Sequence, residues 1–199
     1  YWRPAYHYIR AIRTLKAEDA EDIVQQFFAQ MLSRGDLAKL SPERGSFRGF
    51  LKTALKRFVI DSERRRQVRL PANTPRLFRF ADAETQIRTK GPAPTPEEAF
   101  DREWARGVLA EGLTRLRQGL EIEGKLHLYE IFSAYCLDTA DPDVSYESLA
   151  AQHKLSLDEV RNGLRSVRQR GREILRELLG DYLFPGEDLE AELRFILSK

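Results

Sequence analysis

The chain is poor in the residues that staple or metallate a fold. It has one cysteine, Cys136, so no intrachain disulfide can form and nothing points to secretion. Its three histidines, His7, His127 and His153, are scattered without ligand spacing, so neither a metal site nor a cofactor is expected. No apolar run approaches the roughly 20 residues that a membrane span needs, and no signal peptide is visible. The expectation is a soluble cytoplasmic protein with no membrane partner. An opening Tyr1 in place of Met adds the expectation that residues precede it. Internal repeats and strand-like alternation are missing. So is a phosphate-binding loop, since "GPAPTPEE" lacks the Lys and Gly positions of one. The carboxylates sit where helix solvation or partner binding explains them, so no enzymatic activity is expected.

Net charge is almost absent as well. Lys plus Arg (33) nearly cancels Asp plus Glu (31), but the +2 sum hides blocks. From Arg44 to Arg69 there are nine basic residues against Asp61 and Glu63. From Arg161 to Arg176 there are six Arg against Glu173, and from Asp181 to Lys199 five acidic residues against two basic ones. Two basic patches far apart in sequence suggest two contacts with one long polyanion.

What is present is helical periodicity, and the fold class read from it is all-α. Trp2, Tyr6, Ile9 and Ile12 or Arg13 suggest a first helix, with Pro4 tolerated in its first turn. Ile23, Val24, Phe27, Phe28, Met31 and Leu32 mark a stripe on a second, from near Ala17 to near Gly35. Its acidic first turns suit the helix dipole, and its outer face presents Glu21, Asp22, Gln25 and Gln26. On residues alone that strip is a solvated face. A third helix follows Ser46, a plausible N-cap. Phe47, Phe50, Leu51, Ala54, Leu55, Phe58 and Val59 line one side; Arg48, Lys52, Lys56, Arg57, Arg64 and Arg65 crowd the other. That basic side suits a phosphate backbone, while the phenylalanines read first as core and second as platforms for unpaired bases.

The segment from Leu70 to Phe100 holds five of the nine prolines, has no sustained period, and reads as a long linker. Helical stripes resume near Pro96, with Trp104, Val108, Leu109, Leu113 and Leu116, then Leu126, Tyr129, Ile131, Phe132 and Tyr135. Between Ser145 and Leu175 the pattern is that of a helix-turn-helix. Ser145 caps a short helix, and Leu149 and Ala150 face inward. The turn is His153 to Leu155, with Lys154 in the left-handed position that often carries Gly. Ser156 and Glu159 form a capping box. Val160, Leu164 and Val167 bury one face of the second helix. Asp158, Arg161, Asn162, Arg165, Arg168, Gln169 and Arg172 remain outside, where such a helix reads base edges and holds phosphates. The bland alternative is a helical hairpin with a solvated basic face. Gly163 and Gly171 lie in that helix and each costs roughly 1 kcal/mol against Ala, so a less rigid or a bent helix is expected there. Leu189, Leu193, Ile196 and Leu197 give a short acidic tail helix, which either packs on the second domain or docks on the first as a brake.

"EDAEDIVQQFFAQML", then "FRGFLKTALKRFVIDSERRR", a linker, and "SYESLAAQHKLSLDEVRNGLRSVRQRGREIL" together resemble a bacterial RNA polymerase sigma factor of the extracytoplasmic-function (group IV) type. The resemblance implies two small helical domains: a region 2 over 1–70, a linker over 71–96, a region 4 helix-turn-helix over 97–180, and beyond it an acidic extension over 181–199. It implies a sigma factor that binds core RNA polymerase, recognises −35 and −10 elements and promotes initiation. Glu21, Asp22, Gln25 and Gln26 would dock on the β′ clamp helices. The second domain would hold the β flap. Arg44, Phe47, Arg48, Lys52, Lys56 and Arg57 would meet the −10 element, with Leu40 to Arg48 walling the pocket for a flipped base. Arg161, Asn162, Arg165, Arg168 and Arg172 would meet the −35 duplex. An anti-sigma regulator would be a further partner. The chain departs from the family where many members read "FRAWLY.IARN": Phe50, Lys52, Leu55 and Arg57 stand there, so strand opening would use different contacts. A polymerase-independent helix-turn-helix regulator is the other reading of the same residues.

Overall fold

The computed structural model describes residues 1–12, 17–34, 46–69, 94–138, 144–183 and 187–198. Among them every regular element is a helix. In chain order these are α1 (Trp2–Ile12), α2 (Ala17–Ser33), α3 (Phe47–Arg69), α4 (Pro96–Ile122), α5 (Leu126–Cys136), α6 (Tyr146–His153), α7 (Leu157–Tyr182) and α8 (Leu189–Leu197). No described helix is long and apolar enough to cross a membrane. The chain divides into two compact units. The first holds Tyr1–Arg106 with Leu183–Asp188, and the second holds Gly107–Tyr182 with Leu189–Ser198. Most of the proline-rich stretch expected to be a linker lies outside the described residues.

The first unit is built on the three stripes read from the sequence. α1 packs on α2, and Tyr8, Ile9, Val24, Phe27, Leu51, Leu55 and Phe58 bury into one core. Each such side chain contributes roughly 1.5–3 kcal/mol by leaving water. Phe27 and Phe58 meet edge to face with centroids 5.6 Å apart, a geometry that adds to burial. The start of α4 completes this core. Thr95 and Glu98 cap it reciprocally, the Thr95 N–H donating to Glu98 Oε2 at 2.9 Å and the Glu98 N–H to Thr95 Oγ1 at 3.1 Å. Pro96 takes the first helical position, where its missing N–H costs nothing. Phe100, one turn on, is fully buried against α1, its ring 6.4 Å from that of Tyr8. Tyr8 Oη donates to Glu97 Oε1 at 3.3 Å. Burial, then the nearby carboxylate, pushes the Tyr8 hydroxyl pKa upward, so it stays protonated as a donor.

In the second unit α4 ends at Gly124, whose φ of +68 suits a residue without a Cβ. α5 and α6 both pack on α7, around buried Ile131, Leu149, Ala150, Val160 and Leu164. Gly163 is buried on α7, and a Cβ there would lie 2.9 Å from Leu128 Cδ2. The tip of Leu128 on α5 thus occupies the space that a side chain at this position of α7 would need. α8 packs on α7 within this same unit. Leu193 and Ile196 are buried, and Arg176 Nε meets Glu190 Oε1 at 2.8 Å.

Candidate nucleic-acid interface

α3 starts where the sequence places it, with the Gly49 N–H donating to Ser46 Oγ at 3.0 Å. Its cations then divide into two groups. Lys56, Arg57, Arg64 and Arg65 are exposed. Arg48 and Lys52 instead face α4. Lys52 Nζ donates to both carboxylate oxygens of Asp101 at 2.9 Å. Arg48 Nη1 lies 3.6 Å from Asp101 Oδ1, and its guanidinium stands 4.6 Å over the Trp104 ring. Phe47 is half-buried, edge-on to Tyr1 with centroids 4.9 Å apart. Arg44 and the stretch from Leu40 to Gly45 lie outside the described residues. Sequence reasoning missed Asp101. Its one available signal was position: a carboxylate set between Phe100 and Trp104 at the edge of an apolar stripe.

Between α2 and α3 lies a cleft of about 280 Å³. Phe27, Met31, Phe50, Ala54 and Phe58 form its apolar lining, and Gln30, Arg34, Thr53, Arg57 and Asp61 supply its polar groups. An aromatic-lined slot with a few polar groups can hold a flat heteroaromatic ring by stacking and edge hydrogen bonds. Phe50, Phe58 and Arg57 are readable as candidates from periodicity. Gln30, Arg34 and Asp61 are not, because they converge only once two helices pack.

The outer face of α2 carries Glu21, Asp22, Gln25 and Gln26, all exposed, opposite buried Ala20, Val24, Phe27 and Met31. Two carboxylates and two amides in neighbouring turns can accept from a cationic partner and donate to its carbonyls.

The α6–α7 hairpin of the second unit is held by local caps. The Ser148 N–H donates to Ser145 Oγ at 3.1 Å and the Ser145 N–H to Ser148 Oγ at 2.9 Å. Lys154 sits in the left-handed region at φ 56, ψ 44. The Ser156 N–H donates to Glu159 Oε2 at 2.7 Å and the Glu159 N–H to Ser156 Oγ at 3.2 Å. Those bonds, led by the Ser156 backbone, hold the Glu159 carboxyl below the usual carboxylate range. Arg161, Asn162, Arg165, Arg168 and Arg172 are all exposed on α7. Two of these arginines have aromatic neighbours that sequence reasoning did not assign. Tyr135 and Tyr146 stack at 4.8 Å. Arg168 lies 5.8 Å from the Tyr135 centroid and Arg161 lies 6.0 Å from the Tyr146 centroid. Arg168 Nη2 also donates to Cys136 Sγ at 3.3 Å, which raises the guanidinium pKa further and keeps it charged.

Among the described residues no group of three or more His, Cys, Asp and Glu side chains is placed to hold a metal ion. Residues 1–69, the stretch carrying α1, α2 and α3, match the family model of Sigma-70 region 2. No curated protein and no solved structure matches the chain.

Proposed function

We propose that the chain is a promoter-specificity subunit of RNA polymerase, of the extracytoplasmic-function sigma type. The observation that carries this reading is the Sigma-70 region 2 match over the three helices that present the Glu21, Asp22, Gln25 and Gln26 strip outward. In this reading the strip docks on the β′ clamp helices of core polymerase. The exposed cations of α3, Lys56 and Arg57, hold the strands of the −10 element. The cleft between α2 and α3 receives an unstacked base. Taking a base out of the stack costs a few kcal/mol, and stacking on an aromatic lining offsets roughly 1–3 kcal/mol of that.

The second unit supplies the duplex contact. Helix α7 lies in the major groove at the −35 element, with Arg161, Asn162 and Arg165 near base edges and Arg168 and Arg172 toward phosphates. This half of the reading is supported by the capped hairpin, the left-handed turn at Lys154 and a row of exposed arginines on one helix. The apolar surface of this second unit would hold the β flap, and an anti-sigma regulator would be a further partner.

The test is co-elution with core polymerase at low salt, followed by titration of a promoter duplex with and without core. The expected result is binding tighter than about micromolar to core and promoter-specific binding only in its presence. Tight sequence-specific duplex binding by the chain alone would favour a polymerase-independent regulator instead. A Glu21→Arg, Asp22→Arg variant is expected to lose core binding while keeping its helical content.

A further inference from the structure

The first two turns of α3 hold three groups that attract anions: the helix start itself, Arg48 and Lys52. Each already has an anionic neighbour from far along the chain. Asp101 takes Lys52 in a two-oxygen contact at 2.9 Å and stands 3.6 Å from Arg48. Glu187 Oε1 accepts the Phe47 N–H at 3.0 Å, at the positive end of the helix dipole. The side chains of Arg48, Lys52 and Asp101 keep only 14%, 21% and 18% of their exposure. An ammonium, a guanidinium and a helix N–H are the groups a DNA phosphate contacts. Here two carboxylates contact them instead.

We propose that Asp101 and Glu187 form an autoinhibitory latch on α3, which a strand of single-stranded DNA must displace before Arg48 and Lys52 can hold its phosphates. The proposal rests on reading the first unit as a promoter-binding surface. Displacement needs no unpacking of the unit. Phe100 anchors α4 from the fully buried core, whereas the carboxylates retain some exposure and can turn away by side-chain rotation. A carboxylate set free by an incoming phosphate takes up a cation of its own, which offsets the counterion released from the DNA, so the latch also flattens the salt dependence of binding.

The experiment is an anisotropy titration of fluorescein-labelled oligo(dT) with the full chain across a salt series. Asp101→Asn is expected to bind several-fold tighter than the unaltered chain. Its slope of log affinity against log salt should be steeper by about 0.7 for each cation released. Removal of any carboxylate raises affinity slightly, so Glu97→Gln, whose carboxylate faces Tyr8, is the control and should gain far less. In a Lys52→Ala background the gain from Asp101→Asn should largely vanish. An Asp101→Asn gain no greater than that of Glu97→Gln, or one that survives Lys52→Ala in full, overturns the proposal. If circular dichroism shows Asp101→Asn unfolded, Glu187→Gln decides, because it keeps an acceptor for the Phe47 N–H and removes only charge. The same gain supports the latch and no gain overturns it. The outcome is separable from that of the functional reading, because failure of the unaltered chain to co-elute with core polymerase would sink the latter and leave this titration intact.

Discussion

Two arginine-rich helices of similar length, 23 residues in α3 and 26 in α7, hold their charges in opposite ways. On α7 the row Arg161, Arg165, Arg168 and Arg172 is exposed, and the neighbours of Arg161 and Arg168 are local in sequence or are aromatic rings and a sulfur, while Arg170 and Arg176, off that row, meet Glu123 and Glu190 at 2.6 and 2.8 Å. Its start is capped by Glu159, three residues away. On α3 the first two cations are turned inward onto Asp101, 49 residues from Lys52. Its first N–H is capped by Glu187, 140 residues away. Density of like charge along a helix is thus no measure of how available that charge is. Availability depends on whether the fold returns a carboxylate to it.

The contrast is sharpest for one arginine from each helix. On the proposed reading, Arg165→Ala should weaken promoter binding by the holoenzyme by roughly fivefold to 150-fold, the worth of a good base contact of about 1–3 kcal/mol. Specificity should relax at one −35 position. Equal loss on a random duplex would make Arg165 a phosphate contact instead. Folding stability should stay within about 0.5 kcal/mol of the parent, as for other exposed positions. Arg48→Ala should do the reverse in the resting protein. Losing the Trp104 stack and the charged neighbour of Asp101 should cost about 1–2 kcal/mol of stability, read as a lower urea midpoint. Should the two variants unfold at the same urea concentration, the distinction between a covered and an open helix fails.

The elements that were legible in the sequence are those fixed within one or two turns. The Ser46, Ser145 and Ser156 caps, the left-handed Lys154, and the stripes of α1 to α3 all follow from spacing and local hydrogen bonding. So does the exposed row on α7, once Val160, Leu164 and Val167 are assigned to the core. The latch on α3, the Tyr135–Tyr146 stack and the cleft between α2 and α3 were not legible. Each joins residues that share no period, and only packing brings them together. Gly163 shows the same limit from the other side. Spacing marks it as a weak point in a helix, whereas the tip of Leu128 of α5 packs into the space its missing Cβ leaves. Gly171 has no such demand, since a Cβ there would meet Leu116 Cδ2 at an ordinary 3.6 Å. Gly171→Ala should therefore stabilise by up to about 1 kcal/mol through helix propensity. Gly163→Ala should gain less, because Leu128 must move aside. A larger gain at Gly163 in urea titrations would show that the α5–α7 approach is not tight.

The smallest effect separates the two kinds of cap. Glu159 is ionised more readily in the folded chain than in the unfolded one, because Ser156 donates to it first through its backbone and then through its hydroxyl. A carboxyl whose folded pKa is depressed adds stability that is fully present above its unfolded value. That stability fades as pH falls from there through the lower folded value. The advantage of the parent over Glu159→Gln should thus be constant near neutrality and shrink below about pH 4, the ordinary glutamate range. Taking the difference between the two urea midpoints at each pH cancels the other carboxylates, which titrate in both chains. Glutamine can still accept the Ser156 N–H, so whatever difference survives at low pH belongs to shape, and what disappears belongs to charge at the start of α7. A difference that stays flat across the whole range would mean that this helix start is held by hydrogen-bond geometry alone.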